Sequence, residues 1–203
     1  MEDDLEKLQF YAAIGEAVTR WSSVEDGLFL LYSRLIRSEN LQVLSATFHS
    51  VINLRTKLQM IDAAANYAID DPHLRQKWTS LLNKINRAAK RRNDIAHLTA
   101  TRCQQLPEGK RYILVPKFTD LREESVVWFH HFWNPSYTTA RLKTLAHSFD
   151  LLNIRINEYA NLFEPAKPLS TNRALIQGRH KSTQTLDVGM LVGKKSPSGS
   201  SPE

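Results

Sequence analysis

Arg92, Asn93 and His97 stand close together near the end of a segment with a helical apolar period. Their residue types suit one kind of chemistry. RNA can be cut without a metal when its own 2′-hydroxyl attacks the adjacent phosphorus. The protein must then supply a group that moves a proton near neutral pH and a positive charge for the developing phosphorane. Histidine fits the first role, because its unperturbed pKa lies near 6.5, and arginine fits the second, because it stays charged and can bind phosphate oxygens bidentately. Asn93 can fix the imidazole tautomer or donate to a phosphate oxygen. Spacing alone would say little, since Arg173 and His180 are also loosely spaced but lie in a stretch without helical period.

The segment before the motif explains how these side chains could be positioned. Leu74, Trp78, Leu81, Ile85 and Ala88 alternate steps of four and three and so mark one buried helical face. The next position of that stripe is Arg92, where a guanidinium replaces an apolar side chain and calls for a partner or for water. His97 follows Asn93 by one helical turn on the same face, and Arg92 lies about 100° to the side. A purely structural reading has His97 capping the helix end and Arg92 in an ion pair. Five cations, Lys84, Arg87, Lys90, Arg91 and Arg92, fall within nine residues with no acid until Asp94. Lys84, Arg87 and Arg91 share a face and could track phosphates toward the motif, or could form an ordinary solvated face. Asp94 reads as charge balance for Arg91 or Lys90.

The order Arg92-Asn93-x-x-x-His97 resembles the signature of the HEPN superfamily (higher eukaryotes and prokaryotes nucleotide-binding): Arg, a polar residue, three to five residues, then His. The resemblance takes in WSSVEDGLFLLY and LRTKLQMID upstream and an antiparallel helix after the motif, and covers about residues 3–163. It implies an all-α, antiparallel four-helix bundle that dimerises so that two motifs face each other in a composite site. Many members are metal-independent endoribonucleases of toxin, antiviral or RNA-processing systems, with an antitoxin or regulatory protein as a further partner. Others are inactive and bind RNA, nucleotide or protein. Arg92, Asn93 and His97 would then be catalytic. Lys84, Arg87, Lys90, Arg91 and Arg55, the last in the matching upstream segment, would contact RNA. No cofactor and no metal are expected.

Composition agrees with this without requiring it. The chain has 203 residues, 42% of them hydrophobic, enough for one core. Its formal charge of +6 favours a polyanionic partner. Half of that excess lies beyond Phe163, where six Lys/Arg face three acids. One cysteine, Cys103, excludes an intramolecular disulfide and suits a reducing compartment. The acidic start MEDDLEK is unlike a targeting segment and no apolar run reaches spanning length, so a soluble, cytoplasmic protein without a membrane partner is expected.

Periodicity predicts four helices in a domain of residues 1–163. The first runs from about Asp4 to Arg37 with a stripe of Ile14, Val18, Trp21, Val24, Leu28, Leu31 and Leu35. At about 50 Å it exceeds what a small bundle buries alone, which suggests a partner. A second helix, capped by Ser38 or Asn40, carries one stripe from Leu41 to Ala65; a third starts at Asp71-Pro72 and ends near His97. Residues 98–135 break the helical period. Pro107, Glu108 and Gly109 divide TATRC from RYILV as a β-hairpin does, and Ser125–Trp133 reads as a strand or helical turn. Its aromatic residues, Trp128, Phe129, Phe132 and Trp133, suit the core, with base stacking as the alternative. A fourth helix starts near Ser136 or Thr138 and ends before Pro165, and residues 164–203 form a disordered basic tail by composition.

Overall fold

The structure is a computed structural model that describes residues 2–116, 127 and 137–163. Within these lie five helices and one hairpin: α1 (Glu2–Ile36), α2 (Leu41–Ser50), α3 (Leu54–Ala68), α4 (Pro72–His97), β1 (Thr99–Arg102), β2 (Tyr112–Val115) and α5 (Thr139–Ala160). The aromatic stretch around Trp128 and the tail lie outside the described residues.

Helix α1 is the spine. Phe10, Ala13, Ala17, Trp21, Val24, Leu28, Leu31 and Leu35 recur at steps of three and four, and all are buried. The N-terminal half departs from the expected stripe. Ile14 is only partly buried and Val18 is 42% exposed, because the small Ala13 and Ala17 carry the core face there.

The expected second helix is two helices. Val51–Asn53 is non-helical, and the Asn53 side chain accepts from the Arg55 backbone amide at 2.8 Å. Asparagine competes in this way for amides that a continuous helix would use, so it starts α3 afresh and leaves Ile52 97% exposed in the joint. Asn40 caps α2 by accepting from Val43. The start of α4 follows the sequence, with Asp71 accepting from the His73 amide at 2.8 Å and Pro72 in the first turn.

The hairpin leaves directly from the motif helix. Its strands pair antiparallel with Thr99 opposite Val115 and Arg102 opposite Tyr112, and Gly109 takes the positive φ of 77° in the turn. It is fixed to the first turns of α1: Arg102 pairs with Asp3 at 2.9 Å, and the Arg111 amide donates to Glu6 at 2.8 Å. Cys103 is buried on its other side with Leu106, Ile113 and Val115.

The last helix closes the core against both α1 and α4. Trp21 packs edge-on against Phe149, and Gly27 lies against Asn153 and Ile156, so numbering rises together and α5 runs parallel to α1. Tyr137 meets Asp94 while Tyr159 meets Leu74 and Trp78, so α5 runs antiparallel to α4. The all-helical class and the hairpin between α4 and α5 match the sequence reading. The expected antiparallel four-helix bundle is not what is seen among the described residues, which form five helices with α1 and α5 parallel.

Candidate functional site

Where the apolar stripe of α4 runs out, α1, α3, α4 and the joint before α3 leave a groove of about 800 Å³. Arg55 and Asn53 line one wall, Lys90, Arg92 and Asn93 the other, and Trp21 and Glu25 lie between them. Arg92 occupies the stripe position, yet it is only half-buried, because the groove lets water in where the core ends. Its Nη1 donates to the Asn93 side-chain oxygen at 3.4 Å. Arg55, Lys90 and Arg92 take part in no ion pair among the described residues, and Arg92 in particular meets no carboxylate there. Unpaired guanidinium and ammonium groups facing a wet groove suit an anion.

Glu25 is fixed in this groove by two partners. Its carboxylate accepts from Trp21 Nε1 at 2.8 Å and from Lys57 Nζ at 3.3 Å. Lys57 is 6% exposed and lies 5.2 Å over the Phe48 ring. Glu25 carries no site signal in the sequence, and Lys57 only its place beside Arg55 in the upstream segment LRTKLQMID. The signal for its burial was that Lys57 falls three residues after Leu54 and four before Ile61, on the core side of α3. With Glu25 held by Trp21 and Lys57, no wall cation is paired with it among the described residues.

His97 is the last residue of α4, exposed, one turn beyond Asn93 on the same helical face, and it does not line the groove. Arg92, Asn93 and Lys90 are thus brought together on one wall, with Arg55 on the other, while His97 stands at the end of the helix outside the lining. The C-terminal cap is made by the backbone, the Leu98 amide donating to the Asp94 carbonyl at 2.9 Å. Asp94 forms no ion pair with Arg91 or Lys90 among the described residues. Its carboxylate accepts from the Tyr137 hydroxyl at 2.7 Å, which ties the motif end of α4 to the start of α5. Burial, and then that bond, push the Tyr137 phenol well above its ordinary pKa.

The remaining expected cations separate by face. Lys84, Arg87 and Arg91 line a second groove, about 260 Å³, between α4 and α5. Arg155 of α5 joins them there, a residue the sequence reading did not select. Its only signal is a place one turn past Leu152 at the edge of the α5 stripe. No group of three or more His, Cys, Asp or Glu side chains converges among the described residues, and no described helix is long and apolar enough to cross a membrane.

Set beside family models, curated proteins and solved structures, the chain matches none, so its reading rests on its own residues.

Proposed function

We propose that the protein is a metal-independent endoribonuclease of HEPN type that cuts single-stranded or loop RNA. The observation that carries this reading is the convergence of Arg55, Lys90, Arg92 and Asn93, without ion-pair partners among the described residues, on an open groove beside the helix end that carries His97. In this scheme Arg92 neutralises charge on the phosphorane and Asn93 donates to a phosphate oxygen. The 2′-oxygen bonds to phosphorus, the 5′-oxygen leaves, and a 2′,3′-cyclic phosphate remains. His97 handles the proton of the attacking or the departing oxygen. Since His97 stands outside the lining of its own groove, a homodimer that places two α4 ends face to face completes the site, each chain offering a histidine to the composite groove. Cytoplasmic residence and an antitoxin or regulatory partner belong to the same reading.

The second reading, a catalytically silent module that binds RNA, nucleotide or protein, draws on that same displacement of His97. Substitution separates the two. His97→Ala and Arg92→Ala should each lower cleavage of a susceptible RNA by about 10²- to 10⁴-fold with the fold intact, the usual effect of losing a positioned acid, base or charge. Cleavage should survive EDTA and stop when the 2′-hydroxyl at the cut is replaced by hydrogen. Unchanged cleavage by the His97 variant refutes the assignment. RNA binding without cleavage across a broad substrate panel leaves the silent module, and sedimentation showing only monomer at micromolar concentration removes the composite site.

A further inference from the structure

The groove between α4 and α5 gathers four cations from two helices. Lys84, Arg87, Arg91 and Arg155 line it together with Ser148, and its floor is the apolar edge of Ala88, Leu145 and Leu152. No acid lines it, and none of its four cations is in an ion pair among the described residues. Arg20 pairs with Asp150 at 3.3 Å and Arg102 with Asp3 at 2.9 Å, whereas the cations of this groove face one another without a carboxylate among the described residues. Four like charges around one depression repel each other, and an anion that bridges them relieves that repulsion.

The groove is also connected. At about 100° per residue, Lys84, Ala88 and Arg91 lie on one side of α4 and Asn86, Lys90 and Asn93 on the other, roughly 160° apart. Between them the solvent face of α4 bears a shallow depression of about 510 Å³ lined by Ser80, Asn83, Asn86, Arg87 and Lys90. Arg87 belongs both to this depression and to the α4–α5 groove; Asn86 and Lys90 belong both to it and to the Arg92 groove. The three depressions therefore form one track across α4, in which cations, amides and hydroxyls alternate with apolar side chains and Glu25, at the Arg92 end, is the single acid among the described lining residues.

We infer that the α4–α5 groove is a remote phosphodiester-binding subsite, which holds the backbone of a single RNA strand as it crosses α4 to reach the Arg92 groove. This rests on the ribonuclease reading for the role of the Arg92 end, and it assigns the substrate class: a strand several nucleotides long, since a dinucleotide held at Arg92 cannot also reach Lys84 and Arg155 on the far side of a helix about 10–12 Å across. Arg155 and Lys84 are thus length-sensing contacts, and Asn83 and Asn86 polar stepping points between the cationic ends.

The test uses the full chain, a labelled oligouridylate of about 20 nucleotides and fluorescence anisotropy. Lys84→Glu combined with Arg155→Glu should weaken binding by about tenfold or more per lost contact, the range of a hydrogen bond to a charged group, and should flatten the salt dependence by about 0.7 in log–log slope per contact. Lys7→Glu combined with Lys110→Glu makes the same change of charge on exposed residues of α1 and the hairpin turn, and should cost far less. Circular dichroism checks that both proteins fold. KM for the long strand should rise in the groove variant and stay near the wild-type value in the Lys7→Glu, Lys110→Glu control. Equal losses in groove and control variants, or no binding of the strand by the wild type, overturn the inference. Strand binding that depends on the groove without any cleavage keeps this subsite and refutes the ribonuclease reading. Cleavage of the long strand with an unchanged KM in the groove variant does the reverse.

Discussion

The pair beneath the Arg92 groove should be sharply asymmetric. The Lys57 side chain is 8% exposed and that of Glu25 is 31%, so water can reach the carboxylate but scarcely the ammonium. Glu25→Gln keeps an acceptor for Trp21 Nε1 and removes only the counter-charge, leaving a buried ammonium against an amide. Breaking a fully buried pair costs about 3–5 kcal/mol. The partial exposure of Glu25 and the Phe48 ring 5.2 Å from Nζ, an interaction worth about 0.5–2 kcal/mol, bring the expected loss to about 2–3 kcal/mol. Lys57→Met removes the buried charge itself. It keeps an unbranched apolar stem over Phe48 and leaves Glu25 with its Trp21 bond and solvent, so its cost should stay within about 1 kcal/mol. Adding Lys57→Met to Glu25→Gln should then recover most of the lost stability. Urea unfolding reads these differences as shifts of the midpoint at constant slope, and thermal melts as roughly 4–12 °C for Glu25→Gln. A Lys57→Met protein less stable than Glu25→Gln would refute the reasoning, because it would show that the attraction outweighs the desolvation of the lysine.

Two further outcomes follow from the core. Tyr159 donates to the Leu74 carbonyl at 2.9 Å, and burial pushes its phenol up to about 12; with a folded pKa above the unfolded value near 10, its contribution is complete below pH 10 and is lost as pH rises toward 12. Urea midpoints measured from pH 9 to 11.5 should therefore fall less steeply in Tyr159→Phe than in the wild type, and parallel curves would contradict the assignment. Gly15 and Gly27 both sit within α1, but a Cβ at Gly15 meets nothing within 4 Å, whereas one at Gly27 would come within 2.5 Å of Asn153 Oδ1 and 3.3 Å of Ile156. Gly15→Ala should stabilise by about 0.8–1 kcal/mol through helix propensity, and Gly27→Ala should destabilise by about 1–2 kcal/mol once overpacking is set against the same gain. Thermal melts that rank the two variants the other way would show that α1 and α5 are not in such close contact.

What the sequence determined by itself is local in origin. The apolar periods of α1, α4 and α5, the Asp71-Pro72 start and the Pro107–Gly109 turn each act within a few residues, so the helices and the hairpin could be read in order along the chain. Arg92 at a stripe position was equally legible, and so was the shared face of Lys84, Arg87 and Arg91. The break at Val51–Asn53 was not, because an apolar stripe continues across it while a single asparagine side chain takes the amide that matters. Other features only the tertiary structure decided. Periodicity fixes which face of a helix is apolar but not which way the helix points, so the parallel run of α1 and α5 had to come from packing. Tyr137 lies 43 residues from Asp94, Lys57 lies 32 from Glu25, and Asp62, which accepts from Trp78 Nε1, lies 16 from it, and the arginine that completes the α4–α5 groove belongs to another helix altogether. Such contacts depend on how whole helices seat against each other. That seating, rather than the spacing of the motif, opens the groove at Arg92 and Asn93 and leaves His97 beyond its lining.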